Sequence, residues 1–456
     1  MTNPLSVQEL RALDRAHVWH PLLQHRDLER RPLSVMVRAE GCSVWDAEGR
    51  EYLDAMAGLW CVNIGYGRKE VADAAYAQML KLPYYPLSQI HEPAVRLAAK
   101  LAELLPEGLD RFFFVNSGSE AVETALKMAR AWGWQNGGRY KVIARYRAYH
   151  GLTLGATSAT GQTLRRQAFE PLVPGFSHAR PPYCYRCPWG HTASPRCCLQ
   201  GVSEVEDIIR YQGPETVAAV IAEPIIGGGG VIPSPDGYLE GLREVCDRYG
   251  CLLILDEVIT GFGRTGKLFA CEHWGVVPDI MVLAKGIGSA YLPLAATAAR
   301  ESVFEVFCRE GAPHFAQVST YGGHPAACAA GLANLEILVG EGLVENAREV
   351  GEHLGRGLGQ LRDFPLVGDV RGRGLIWGVE LVEEDGAPLA AEETTRVVGL
   401  VRDRGVIVGK NSDTVAGVQN VLTVAPPLIL NRQQADRIVD ALAGALRAHQ
   451  SARGRG

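Results

Sequence analysis

Between about residue 111 and residue 300, short apolar runs alternate with helix-length segments. The runs are Phe112–Val115, Lys141–Ala144, Val217–Ala222, Cys251–Leu255, Ile280–Leu283 and Leu294–Ala298. A strand that is apolar on both faces has no side for water, so it belongs inside a sheet covered by helices. Alternation with helices makes that sheet mostly parallel, because parallel neighbours need a long crossover. The spacing predicts an α/β fold for this stretch.

Other patterns flank it. Residues 33–54 read as a hairpin, in which Val35 and Val37 alternate, Glu40-Gly41 turns and Ser43-Val44-Trp45 returns. Residues 69–81 and 91–105 carry helical periodicity. Beyond about residue 331 long helices return, with strands at Leu375–Leu381 and Val421–Val424. The 456 residues are too many for one ordinary core, and no linker or repeat divides them. The expected organisation is a large domain over 61–330 and a small α+β domain made from both termini, 1–60 and 331–456.

A net charge of -5 gives no general attraction to nucleic acid or to an acidic membrane. No apolar run approaches the roughly 18 residues of a membrane span. The first twenty residues lack the basic-then-apolar order of a signal peptide. Cytoplasm is the default location, where the 11 cysteines are expected mostly as reduced thiols. Cys184, Cys187, Cys197 and Cys198 crowd one loop with His191, a set that zinc would accept. The second pair is adjacent rather than C-x-x-C, so packed thiols without metal are the expectation.

Ligands of open α/β sheets bind outside the carboxyl ends of the strands. Phe112–Val115 leads into Asn116-Ser117-Gly118-Ser119-Glu120 and a helix. Val217–Ala222 leads into Glu223-Pro224, Cys251–Leu255 into Asp256-Glu257-Val258, and Ile280–Leu283 into Ala284-Lys285-Gly286. Taken singly, Ser117 is a plain helix cap and Lys285 a surface lysine. Together they offer a phosphate loop, two acids and a lysine on one rim. Free N–H groups and hydroxyls at Ser117-Gly118-Ser119 suit a phosphate. A buried carboxylate at Asp256 needs a partner, and a protonated pyridine nitrogen is one. A desolvated Lys285 loses its charge readily and attacks carbonyls. Gly261-Phe262-Gly263-Arg264-Thr265-Gly266 fits G-x-G-x-x-G, but Asp256–Thr260 separate it from its strand and it opens no helix. A nucleotide-dependent oxidoreductase is therefore discounted. Gly227–Gly230 lacks the Lys-Ser/Thr of a Walker loop.

These motifs resemble the class III (omega) aminotransferases of the type I pyridoxal-phosphate (PLP) fold. Tyr149-His150-Gly151, Ser319-Thr320-Tyr321-Gly322-Gly323-His324-Pro325, Gly58–Asn63 and Ala425-Pro426-Pro427-Leu428 extend the resemblance nearly end to end. It implies pyridoxal 5'-phosphate as cofactor, with Lys285 as the Schiff-base lysine and Asp256 as partner of the pyridine nitrogen. Tyr149 resembles the aromatic that stacks on one ring face, with His150 beside it, and Val258 the aliphatic residue against the other. Ser117, Gly118 and Ser119 match the phosphate loop, and Glu223 an acid beside the cofactor. Thr320 matches a threonine that reaches the phosphate of a second subunit, which implies a homodimer, or a dimer of dimers, with shared sites. Trp60 falls where relatives shape the substrate pocket and reads equally as a core tryptophan.

Within the family, Gly58–Gly65, Lys81–Leu87 and Cys184–Pro188 resemble taurine:pyruvate and other omega-amino acid or amine:pyruvate enzymes. Two departures matter. The glycine run 227–230 replaces the second glutamate of ornithine- and GABA-type members. Val408-Gly409-Lys410-Asn411 stands where many amine transaminases carry an arginine that pairs with a substrate carboxylate. Lys410 and Arg165 are the candidate cations for a substrate anion, and Lys410 reads equally as a solvated lysine. The implied reaction moves an amino group from an omega-amino acid, a taurine-like donor or a simple amine to a keto acid, with pyruvate expected. An aminomutase, decarboxylase or racemase would use the same cofactor. A non-catalytic binding protein on this fold is the rival from another class, and the presence of both Lys285 and Asp256 argues against it.

Overall fold

The computed structural model describes residues 5–29, 32–190, 199–411 and 414–453. The apolar runs form one seven-stranded sheet in the order Leu109–Val115, Ala295–Arg300, Ile280–Leu283, Leu252–Asp256, Val217–Ala222, Lys141–Arg145 and Phe176–Ala179. The last five run parallel, and Ala295–Arg300 is antiparallel to both its neighbours. Alternate side chains feed two cores, as the strand period of two requires. Leu253, Leu255, Met281 and Leu283 join one core, and Leu252, Ile254, Ile280 and Val282 the other. Helix Gly118–Gln135 covers the second core with Ala121, Val122, Ala125 and Leu126. Helices Leu199–Gln212 and Tyr238–Tyr249 cover the first with Val205, Ile209, Leu239 and Leu242. The edge strand Phe176–Ala179 has no apolar run, since only Ala179 is buried, and it joins the sheet through its backbone.

The expected hairpin is a three-stranded meander, Met36–Glu40, Ser43–Asp46 and Glu51–Asp54. Its third strand pairs in parallel with Val406–Ile407, so distant parts of the chain share one sheet. A second small sheet holds Val367–Arg373, Ile376–Leu381, Val421–Val424 and Gly409–Lys410. Helices Lys69–Lys81 and Glu92–Leu104 form as expected and pack against Pro325–Gly340. Among the described residues no single helix is long and apolar enough to cross a membrane. Of the cysteine cluster, His191, Cys197 and Cys198 lie outside the described residues, among which no His, Cys, Asp and Glu side chains are grouped to hold a metal.

Candidate active site

The sheet delivers the acids and the lysine from three adjacent strands. Asp256, at the end of Leu252–Asp256, is buried. Its Oδ2 lies 2.8 Å from His150 Nδ1, and its Oδ1 accepts the Val258 N–H at 3.1 Å. Glu223 follows the neighbouring strand and is also buried. Its two oxygens accept the N–H groups of Tyr149 and Gly227, each at 2.9 Å. Burial pushes the Glu223 carboxyl above its usual range; His150 opposes that rise and Asp256 adds to it. Lys285 follows Ile280–Leu283 with φ +50, a backbone conformation that side chains rarely adopt. Burial pulls its amine below the ordinary lysine range, and the charges of Asp256, Cys61 and Glu223 offset only part of that.

The loop after Leu109–Val115 completes the rim. Ser117 caps helix Gly118–Gln135, with its hydroxyl accepting the Glu120 N–H at 3.3 Å. The cap is formed, and the helix N-terminus beside it is the kind of site that suits a phosphate. Ser119 Oγ accepts the Leu152 N–H at 3.1 Å and so ties this loop to Tyr149-His150-Gly151. Gly151 sits at φ +120, and a Cβ there would lie 2.3 Å from Ser119 Oγ, so only glycine lets the loops touch.

Every expected site residue except Thr320 lines one cavity of about 610 Å³. Thr320 is exposed, and its carbonyl accepts the Tyr84 hydroxyl at 2.7 Å. Trp60 belongs to the core and also lines the cavity. Lys410 Nζ donates to Thr395 Oγ1 at 2.8 Å and to Gln419 Oε1 at 3.0 Å. Arg165 donates from Nε to Gln162 Oε1 at 2.9 Å, and its guanidinium lies 5.0 Å from the centre of the Tyr149 ring. Sequence reasoning missed Gln162, Met56 and Cys61, which also line the cavity. Gln162 is buried and donates to the Arg147 carbonyl at 3.1 Å; it sits in no motif that would have marked it.

This donor set fits pyridoxal phosphate. A capped helix N-terminus suits the phosphate, a buried carboxylate suits a protonated ring nitrogen, and a desolvated amine suits the carbonyl. The profile of the family Aminotransferase class-III matches residues 26–446. The uncharacterized aminotransferase YhxA of Bacillus subtilis is 50% identical over 445 residues, 96% of this chain and 97% of that protein. A taurine–pyruvate aminotransferase of Bilophila wadsworthia is 40% identical over 440 residues, 94% and 95% of the two chains. The solved omega transaminase from Pseudomonas jessenii in complex with PMP has a TM-score of 0.93 at 36% identity, covering 98% of this chain and 99% of that one. With matches of this extent, the chain belongs to the class III aminotransferases, PLP-dependent enzymes of the type I α/β fold.

Proposed function

We propose that the cavity at Lys285 is the active site of an aminotransferase that moves an amino group from an omega-amino acid, taurine-like donor or simple amine to pyruvate. The observation that carries this reading is a desolvated Lys285 amine sharing one cavity with the Asp256 carboxylate. Bound there, the cofactor supplies an electron-accepting ring that acidifies the donor's nitrogen-bearing carbon. Ser117, Gly118 and Ser119 would hold its phosphate, and Tyr149 and Val258, which line the same cavity, would flank its ring. Asp256, oriented by His150 and the Val258 N–H, would keep the ring nitrogen protonated. Glu223 fixes the Tyr149 backbone. Lys285 Nζ, with its proton affinity lowered by burial, takes the proton from the donor carbon and later returns one as general acid. The exposed Thr320, away from its own cavity, supports a homodimer in which it serves the partner's site; full turnover by a verified monomer would end that reading.

The donor's far end separates the candidates. Taurine and β-alanine carry an anion there, and an anion out of water needs a cation or N–H donors. Arg165 is the favoured partner, because its guanidinium lies 5.0 Å from the centre of the Tyr149 ring, the side chain proposed to flank the cofactor. The taurine–pyruvate relative at 40% identity supports an anionic donor. The test is a panel of taurine, β-alanine, GABA, putrescine and an aryl amine against pyruvate, with Arg165→Met and Lys410→Met beside the parent. Arg165→Met is expected to raise KM for taurine and β-alanine on the order of 10–100-fold, the value of a charged hydrogen bond, and to spare the aryl amine. Equal losses for both donor types would remove Arg165 from anion recognition. Donor consumption without a keto acid would favour the aminomutase, decarboxylase or racemase reading.

A further inference from the structure

Away from the cavity the chain buries a second charged cluster. Glu380, on strand Ile376–Leu381, is 1% exposed. Its carboxylate accepts from the Tyr183 hydroxyl, from Arg186 Nε and, at 2.8 Å, from Arg371 Nη1. Burial alone would raise this carboxyl, but the Arg371 charge and the bonds from Tyr183 and Arg186 hold it below its usual range. Arg371 reaches further. Its Nε donates to the Val231 carbonyl at 2.8 Å and its Nη2 to the Gly230 carbonyl at 2.6 Å. Arg147 Nη1 donates to the Gly229 carbonyl at 3.3 Å. Both guanidiniums lie against the Tyr183 ring, Arg147 at 4.9 Å and Arg371 at 4.8 Å. Three successive carbonyls are thus gripped by two arginines from distant parts of the chain.

The gripped segment is strained. Val231, a β-branched residue, sits at φ +50, and Arg147 at φ +67. A Cβ at Gly229 would lie 2.3 Å from the Arg147 carbonyl oxygen. Such backbone persists only where its surroundings over-determine it, and it concentrates at functional sites. The segment begins in the cavity wall. Gly228 lines the cavity, where a Cβ on it would lie 3.4 Å from Gln162 Nε2 and 3.6 Å from the Tyr149 Cβ. The N–H groups of Gly230 and Val231 both donate to the Gly227 carbonyl, at 3.1 and 3.0 Å. This turn is therefore one stiff unit, and a shift at Val231 carries through to Gly228.

We propose that Arg371, locked by Glu380 and Tyr183, is a positioning residue that sets the pocket wall at Gly228 and so decides the size of donor the enzyme accepts. This rests on the reading of the Lys285 cavity as the active site. Arg371→Lys keeps the charge but loses the fork that spans two carbonyls and a carboxylate. Tyr183→Phe removes one hydroxyl, and Glu380→Gln removes one charge.

The experiment compares kcat/KM for a small alkyl amine and a bulky aryl amine with pyruvate, on holoenzyme, together with the visible absorption of the bound cofactor. Arg371→Lys is expected to change the bulky-to-small ratio by about fivefold or more, through KM, with the cofactor spectrum retained. Tyr183→Phe and Glu380→Gln should move the ratio in the same direction, and they carry the test if Arg371→Lys does not fold. Gly228→Ala alters the wall directly, so its effect on the ratio should be non-additive with that of the clamp variants. An unchanged ratio, or strict additivity, would overturn the proposal and leave the clamp as a stabilising brace, whatever happens to thermal stability. Full turnover by Lys285→Ala would instead defeat the underlying reading of the cavity, a result independent of the ratio.

Discussion

The Lys285 cavity and the Glu380 cluster both take acids and cations out of water, yet they are completed to opposite degrees. Around Glu380 the carboxylate meets Tyr183, Arg186 and Arg371, and all three guanidinium nitrogens of Arg371 donate. In the cavity, burial lowers the proton affinity of Lys285, and His150 Nε2 is buried without a hydrogen-bond partner. An unmet buried polar group costs about 1–3 kcal/mol and calls for an explanation, such as a catalytic role or a bound group. The incompletely paired cluster is where a ligand belongs, and the paired one acts by holding shape.

The strongest way to break this contrast is to delete the amine. Lys285→Ala should cut turnover by ~10⁴-fold or more, since it loses both the nucleophile and the proton carrier. Its thermal melting should hold or rise, because the deleted charge is poorly compensated in the fold. Steady-state rates and a melting curve check both halves. Turnover within about tenfold of the parent would take Lys285 out of the chemistry.

Next comes Asp256→Asn, which keeps the shape and removes the charge. The ring nitrogen loses its anionic partner, so the rate should fall on the order of 10²–10³-fold, the scale of one preorganised electrostatic contact. The cofactor should remain bound through the Ser117-Gly118-Ser119 loop, visible in the absorption spectrum. A parent-like rate in cofactor-loaded Asp256→Asn would show that the pairing does no catalytic work.

The two clusters were not equally legible in the sequence. Asp256, Glu223 and Lys285 each follow a run that is apolar on both faces, and such runs announce strands whose ends form one rim. The clamp has no local signal. Glu380 and Tyr183 stand 197 residues apart, and Val-Glu-Leu within a strand reads as ordinary alternation with the acid facing water. The His150–Asp256 contact spans 106 residues, so composition around Tyr149-His150-Gly151 does not reveal it. The strand Phe176–Ala179 escaped notice because an edge position leaves three of its four side chains only partly buried, so no apolar run marks it. Lys410 stayed ambiguous for a similar reason, since Thr395 and Gln419 come to it only through tertiary packing.

Glu257 tests the contrast at its finest, because it is the chain neighbour of Asp256 yet resembles neither cluster fully. It is fully buried, accepting the Cys271 N–H at 2.8 Å on one oxygen and the Thr260 hydroxyl on the other. Burial nonetheless pushes its carboxyl up to about 7, against the pull of those bonds. The folded chain thus keeps a proton that the unfolded chain releases from about pH 4.5 upward. That contribution to stability is complete below about 4.5 and is lost as pH rises through about 7, with a size on the order of 3 kcal/mol at most. His178 and His273 act in the opposite sense. Burial lowers each to about 4, so their contribution is present above about 6.5 and lost as pH falls through about 4. The parent's own pH profile mixes the two trends. Subtracting the unfolding free energy of Glu257→Gln, measured by denaturant at each pH, cancels the histidines and isolates Glu257. The difference should decline between pH 4.5 and 7 and level off above. A flat difference would mean that Glu257 stays ionised in the fold, held by its hydrogen-bond partners as Glu380 is.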